Sequence, residues 1–315
     1  MIVKVYFDTN IYRFITERDE IHRVAMQLNQ SGCRLLASAG NLLETYAIKS
    51  LTIRSQELEA IIRLGNQFQD HPESYLHALE VRREIKRLRP RWINIAPRRK
   101  KERFYLKNHL ALWVQARARV LPSATAFAAY SRDAEQGIAS IQETQKDLRT
   151  SLHTAPSDFQ LLTPDGQTFS VNLDDPELYW RVEGLLAWHH AIVKRASASR
   201  DYADWLEPYL RPNSFSDPSY PDFWLREVSA AAMPLNRLTG LVSFYQLKQK
   251  ITHGNAADQI HASCWLESDL FITADRGFYE ALAAAAQHYP HRPLPILVDR
   301  AAPSFASQLE KILAA

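Results

Sequence analysis

Apolar and polar positions follow one style at both ends of the chain and another in the middle. Ile2, Val3, Val5, Tyr6 and Phe7 form a short apolar run broken only by Lys4, which predicts a strand. Asp8-Thr9-Asn10 closes it with residues that favour caps and turns. From about Ile11, apolar Ile15, Ile21, Val24 and Leu28 predict one helix, with its exit at Ser31-Gly32. Arg34 to Ser38 predicts a second strand, and a second helix begins near Gly40 with Glu44 in its first turns. The same style returns late. Asn255 can cap a helix through Asp258, Ile260, Ala262 and Trp265, and Leu270 to Thr273 predicts a third strand. Asp275-Arg276-Gly277 leads into a helix to about His288, Pro295 to Val298 is a fourth strand, and Phe305 to Leu313 a closing helix. Alternating strands and helices predict an α/β fold, a parallel sheet flanked by helices.

Residues 51–235 read as mostly helical. Leu58, Ile61, Ile62 and Phe68 fit a helix period, as do Tyr130 to Leu152 and Leu178 to Leu186, the last after the start signal Asp174-Asp175-Pro176. One hairpin interrupts: Phe159 to Leu162, a turn at Pro164-Asp165-Gly166, then Phe169 to Val171. Arg211 to Asp222 reads as a loop. Six of the seven tryptophans fall in this middle region, so it packs a core and is not a linker.

A chain of 315 residues has room for two or three domains and needs no disulfide or metal staple to hold a core. With 46% hydrophobic and 23% charged residues, disorder, collagen and a coiled-coil rod are excluded. No run reaches the roughly 18 apolar residues of a membrane span, and the first residues do not read as a secretory signal. Cys33 and Cys264 lack metal-site spacing and are expected as core fillers, with the cytoplasm as the default compartment. The net charge of +3 hides an asymmetry. Arg82 to Lys107 holds twelve Lys/Arg against Glu84 and Glu102, a segment at +10 on a remainder at −7.

Four carboxylates sit where predicted elements meet. Asp8 and Asp275 follow strands, and Glu44 and Asp258 lie early in helices. In a parallel sheet the carboxyl ends of strands share one edge, and ligands bind in the crevice there. The four acids can therefore converge, although 267 positions separate the outermost pair. Asp269 precedes its strand and belongs at the opposite edge. Crowded carboxylates take up protons or cations. An oxygen-only set without thiolates suits Mg²⁺ or Mn²⁺ better than zinc, and such an ion suits phosphoryl-ester hydrolysis. Taken singly, each acid is an ordinary cap or solvated helix residue.

Four segments carry a resemblance: Val5-Tyr6-Phe7-Asp8-Thr9-Asn10-Ile11, Ser38 to Glu44, Asp258 to Ala262, and Leu270 to Phe278. In these the chain resembles the PIN-domain (PilT N-terminus-like) family of metal-dependent nucleases. The resemblance covers residues 1–50 and 236–315, which it implies form one PIN-like domain, with 51–235 as a mostly helical insertion much longer than the family's usual middle. It implies an Mg²⁺- or Mn²⁺-dependent endoribonuclease cutting single-stranded or structured RNA, in toxin-like or RNA-processing roles. Asp8, Asp258 and Asp275 would ligate the metal, Glu44 would complete the site or orient the attacking water, and Asn10, Ser38 and Thr273 would serve as polar helpers. Many such proteins pair with an antitoxin-like partner, and a homodimer is a further expectation.

Beside this reading, Arg98, Arg99, Lys100 and Lys101, with Trp92, Phe104 and Tyr105 near them, are candidates for an RNA grip. His189 and His190 point about 100° apart on a helix and are poor co-ligands. His261, one turn from Asp258, and His253 are expected to be structural. The competing readings are a non-catalytic RNA-binding or scaffolding PIN-like module and, less favoured, a phosphatase. The latter lacks the second Asp of an Asp-x-Asp motif at Asp8-Thr9-Asn10.

Overall fold

A computed structural model describes residues 2–97, 99–119, 159–162, 168–171, 174–195, 200–215, 217–249 and 255–314. The described residues fall into two compact units. One holds 2–70, 109–119 and 255–314; the other holds 71–108 and the described residues between 159 and 249.

The first unit is built on a five-stranded, all-parallel sheet. Its strands are β1 (Lys4–Phe7), β2 (Arg34–Ala37), β3 (Gln67–Phe68), β6 (Leu270–Thr273) and β7 (Ile296–Leu297), in the order β3-β2-β1-β6-β7. Tyr6 pairs in register with Leu36 on one side and Phe271 on the other. Val5, Tyr6 and Phe7 are all fully buried, as expected of a central strand covered on both faces. Phe7 meets Phe305 edge-on at 5.3 Å, on one face, while Tyr6 stacks against Phe271 at 5.1 Å. From β1 the chain steps outward to β2 and β3, and it later returns to the other side of β1 as β6 and β7. The order of strands thus reverses between β1 and β6, and the crevice at their carboxyl ends lies at a switch point.

Around the sheet lie α1 (Thr9–Glu17), α2 (Ile21–Gln30), α3 (Ala39–Ala47) and α4 (Leu51–Leu64), then the late helices Asn255–Glu267, Arg276–Ala286 and Phe305–Ala314. The single helix expected from Ile11 to Leu28 is two. The chain breaks at Arg18-Asp19-Glu20, where Asp19 adopts a left-handed φ of 53° that no helix continues through. Phe68, read as helical, belongs to β3. Gly65 leaves the helix in an extended conformation, and the Gln69 N–H then donates to the Ala37 carbonyl at 2.9 Å. Tertiary pairing overrides the helical period here.

The boundaries between units differ from the segments read in the sequence. α4 buries Leu58, Ala60, Ile61 and Leu64 within the sheet-bearing unit, beyond the boundary expected at residue 50. Pro234–Leu247 packs instead on Pro176–Trp188 in the second unit, although 236 onward was read as part of the α/β domain. That second unit is helical, with α5 (Glu73–Leu88), Pro176–Trp188, Arg200–Leu206 and Pro234–Leu247 around fully buried Trp180, Trp188 and Trp224. The expected hairpin is present as β4 (Phe159–Leu162) and β5 (Thr168–Val171), antiparallel, with Leu161 opposite Phe169. Within Arg211 to Asp222, read as a loop, short helical turns form at Pro212–Ser214 and Tyr220–Asp222. The helix read over Tyr130 to Leu152 and the turn at Pro164-Asp165-Gly166 lie outside the described residues. Among the described residues, no helix is long and apolar enough to cross a membrane.

Candidate active site

At the carboxyl end of β1, Asp8 caps α1 and accepts the Thr9 N–H at 2.7 Å. Only 4% of it is exposed. Its other oxygen accepts the Thr273 hydroxyl at 2.7 Å and the Asn10 amide. Thr273 ends β6, and its Oγ also accepts the Asp275 N–H at 3.0 Å. Asn10 turns its own oxygen to the Ala274 N–H at 2.9 Å. These bonds tie the ends of the two adjacent strands together and hold Asp8 in one orientation. Asp275 caps the helix Arg276–Ala286 with one oxygen, accepting the Phe278 N–H at 2.9 Å, and is exposed.

Glu44 reaches the same edge from α3. That helix is fixed by a reciprocal cap in which Ser38 and Asn41 exchange side-chain and backbone bonds. Asn41 also donates to the Phe7 carbonyl and the Thr9 hydroxyl, both at 3.2 Å, which locks α3 onto the end of β1. From Asn255–Glu267, His261 places Nε2 2.8 Å from Glu44 Oε2 and 3.7 Å from Asp8 Oδ1. One ligand-type atom from each of Asp8, Glu44 and His261 lies within 4.8 Å of the others. Asp258 lies in the first turn of the same helix and is half-buried.

The electrostatics report the crowding. Burial pushes the Asp8 carboxyl up, partly offset by His261, while Glu44 pushes it further. Burial also drives Asp258 well above the usual carboxylate range, reinforced by repulsion from Asp8, Asp275 and Glu44. Asp258 therefore feels all three other acids of the set. Burial alone would raise Glu44, but the adjoining His261 outweighs it and the net shift is downward. Burial lowers His261 while Glu44, Asp8 and Asp258 raise it, to about 9. Asp8, Glu44 and His261 thus share one small volume, while Asp258 and Asp275, expected to ligate a metal with Asp8, bring no ligand atom into that 4.8 Å group and act on one another through space. The donor set is rich in carboxylate oxygen and free of thiolate, since Cys33 and Cys264 are buried core residues. Such a set fits a hard or borderline divalent cation.

Behind Glu44 stands a pair absent from the sequence reading. Arg13 of α1 donates to Glu57 of α4 at 2.7 Å; the Glu57 side chain is fully buried and that of Arg13 is 41% exposed. Glu57 Oε2 has no hydrogen-bond partner. Arg13 also draws the Glu44 carboxyl down.

Asp269 sits at the opposite edge, as expected, accepting the Lys4 N–H at 2.8 Å. His189 bonds Tyr220 at 2.7 Å and belongs to the second unit. His253 lies outside the described residues. His261, expected to be structural, stands inside the acid cluster. Its position one helical turn after Asp258 was the available signal. Tyr6, Thr9 and Asn41, which contact the cluster through hydrogen bonds, were also missed.

The basic segment belongs to the second unit. Arg82 is buried against Glu102 and lies over the rings of Tyr209, at 4.0 Å, and Tyr75, at 5.1 Å. Arg87 pairs with Glu84, and Arg89 with Glu227. Of the four grip candidates, Arg98 lies outside the described residues. Arg99 pairs with Glu102 and Lys101 with Asp204, both at 3.2 Å, though both cations stay half-exposed. Lys100 and Arg103 are exposed with no ion pair among the described residues. Trp92 is buried and Tyr105 donates to Asp204, whereas Phe104 is 58% exposed.

In comparisons with known proteins, no family model, curated relative or solved structure matches this chain.

Proposed function

We propose that the chain is a PIN-like, metal-dependent endoribonuclease. The observation that carries the reading is the close grouping of Asp8 and Glu44 with His261 at the switch point of a parallel sheet, near enough to Asp258 and Asp275 for the acids to repel one another. Asp8 follows β1, Asp275 follows β6, and Glu44 and Asp258 come from two flanking helices. His261 relieves part of the repulsion in this cluster, and a bound cation or protons would relieve the rest. Asp8, Asp258 and Asp275 would hold Mg²⁺ or Mn²⁺, with Glu44 beside them. When bound, the ion supplies a lowered pKa for a coordinated water and neutralises charge on a phosphodiester.

The chain's own residues do the rest. Thr273 and Asn10 fix the Asp8 carboxylate by donating to its Oδ2. Asp275 spends Oδ1 on its helix cap and keeps Oδ2 for a ligand. Glu44, on the helix anchored through Ser38 and Asn41, would complete the site or orient the attacking water. On the second unit, Lys100 and Arg103 supply phosphate contacts and Phe104 a ring on which an unpaired base can stack.

The test is cleavage of labelled single-stranded RNA and DNA by purified protein with Mn²⁺ or Mg²⁺, with EDTA as control. The expected result is metal-dependent cutting of RNA that is lost in Asp275→Asn and Asp258→Asn. Cutting in EDTA, or cutting retained by both variants, refutes it. Binding of RNA without cutting favours the non-catalytic module.

A further inference from the structure

His261 has a second connection, on the far side of its ring. Nδ1 lies 2.5 Å from the Tyr6 hydroxyl, which lies 2.9 Å from Ser38 Oγ, which lies 3.2 Å from Asn41 Oδ1. The polarity of this chain can be read from its far end. Asn41 donates its amide nitrogen to the Phe7 carbonyl, an acceptor only, and its oxygen accepts the Ser38 N–H at 3.0 Å. The atom facing Ser38 Oγ is therefore the amide oxygen, which cannot donate. With Ser38 giving its proton to Asn41, Tyr6 gives its proton to Ser38 and His261 gives the Nδ1 proton to Tyr6. The reverse polarity leaves the Ser38 Oγ–Asn41 Oδ1 contact with no proton, although the Asn41 N–H still donates to Ser38 Oγ at 3.2 Å. Only the first order gives each of the three contacts one.

This order fixes the tautomer of His261. With Nδ1 carrying its hydrogen, Nε2 holds the ring's other proton against the Glu44 carboxylate, and displacement of that proton by a cation leaves the lone pair on Nε2, the atom between Glu44 and Asp8. A histidine that ligates a metal through one nitrogen ordinarily donates the other N–H to a fixed acceptor, which sets ring orientation and basicity. Here that acceptor is Tyr6, on the fully buried central strand and stacked on Phe271. The ring is 1% exposed and cannot swing away to solvent.

From this geometry we propose that His261 Nε2 is a metal ligand, oriented by the relay Tyr6–Ser38–Asn41. The proposal rests on the metal-site reading and sharpens it. The site offers one nitrogen among carboxylate oxygens, so it selects Mn²⁺ and later first-row ions over Mg²⁺, which takes oxygen ligands almost exclusively. Without a cation, Nε2 is held by Glu44 instead, the arrangement seen here.

The test uses the full chain and Mn²⁺ alone, with no RNA. Pulsed electron paramagnetic resonance of bound Mn²⁺ detects the coupling of a directly ligated imidazole nitrogen, and calorimetry gives the affinity. The expected result is a nitrogen coupling in the wild type that disappears in His261→Gln. Affinity then falls on the order of 10-fold or more, and Mg²⁺ competes poorly. Tyr6→Phe, which leaves the ligand in place, is expected to keep the coupling and to bind Mn²⁺ about 10-fold more weakly. It also serves if His261→Gln does not fold. Bound Mn²⁺ without nitrogen coupling, or a coupling that survives in His261→Gln, overturns this proposal and leaves the carboxylate site standing. Failure to bind Mn²⁺ at all overturns both.

Discussion

Replacing Arg13 with Ala strands a buried charge. Glu57 is fully buried, one of its oxygens already lacks a partner, and Arg13 holds the other at 2.7 Å. Two touching unit charges at an effective dielectric of about 20 are worth about 4 kcal/mol, whereas a fully exposed pair is worth at most about 1. With Arg13 41% exposed, the structure supports a value between these, about 2 kcal/mol or roughly 30-fold in the opening equilibrium. Because the two units need not unfold together, a global midpoint is a poor measure. Native-state hydrogen exchange at the β2 and α4 amides reads the first unit by itself. The dependence on pH follows from Glu57. Burial raises its pKa in the fold, against Arg13, with Glu44 raising it further. For an acid raised on folding, stability is highest below the unfolded value and is lost as pH rises through the folded one. Losing Arg13 raises Glu57 more, so the deficit of the variant should be large at pH 7 and shrink toward pH 4. Arg13→Ala/Glu57→Leu should recover more than half of it. A change under about 0.5 kcal/mol, or a double variant no better than the single one, refutes the reasoning.

Three further outcomes are expected. Asp258→Asn removes a carboxylate that Asp8, Asp275 and Glu44 all repel, so in EDTA hydrogen exchange at the first unit's β1 and β6 amides should slow by roughly 5-fold, about 1 kcal/mol, while Mn²⁺ affinity falls; faster exchange counts against the crowding. Burial pushes Glu183 up to about 7 despite its bond from Ser243, so the second unit should lose up to about 3 kcal/mol between pH 4.5 and 7. Denaturation across that range should show the decline flattened in Glu183→Gln. Arg103→Ala should weaken RNA binding and reduce its salt slope by about 1, while Phe104→Ala should weaken binding to single strands more than to duplex.

Much of the first unit was legible because its signals are local. β1, β2 and β6 are short apolar runs, and Asp8, Ser38 and Asp275 are caps that mark both a strand's end and a helix's start. The nearness of Asp8 and Glu44 followed from one rule about parallel sheets. What stayed hidden depends on contacts between distant residues. β3 has two residues and exists because β2 offers it an edge. The Arg13–Glu57 pair joins two helices, and nothing about either residue alone announces it. His261 looked like any helix histidine until Tyr6, 255 positions earlier, appeared behind its ring. In the basic segment, charge counting could not tell Arg82, spent between Tyr75 and Tyr209, from exposed Arg103.

The place of β1 in the sheet also sets a clock. Val5 pairs with Leu35 on one side, 30 residues on, and with Leu270 on the other, 265 residues on. At about 5–20 residues per second, a ribosome needs roughly 15–50 s to supply that second neighbour. Until then β1 is an edge, with open N–H and C=O groups and apolar Tyr6 lacking the Phe271 ring it will stack on. The nascent chain therefore spends most of its synthesis with a sticky strand in need of shielding. Asp258 and Asp275 emerge in the same late stretch, so a protein still being made carries only half of its acidic cluster.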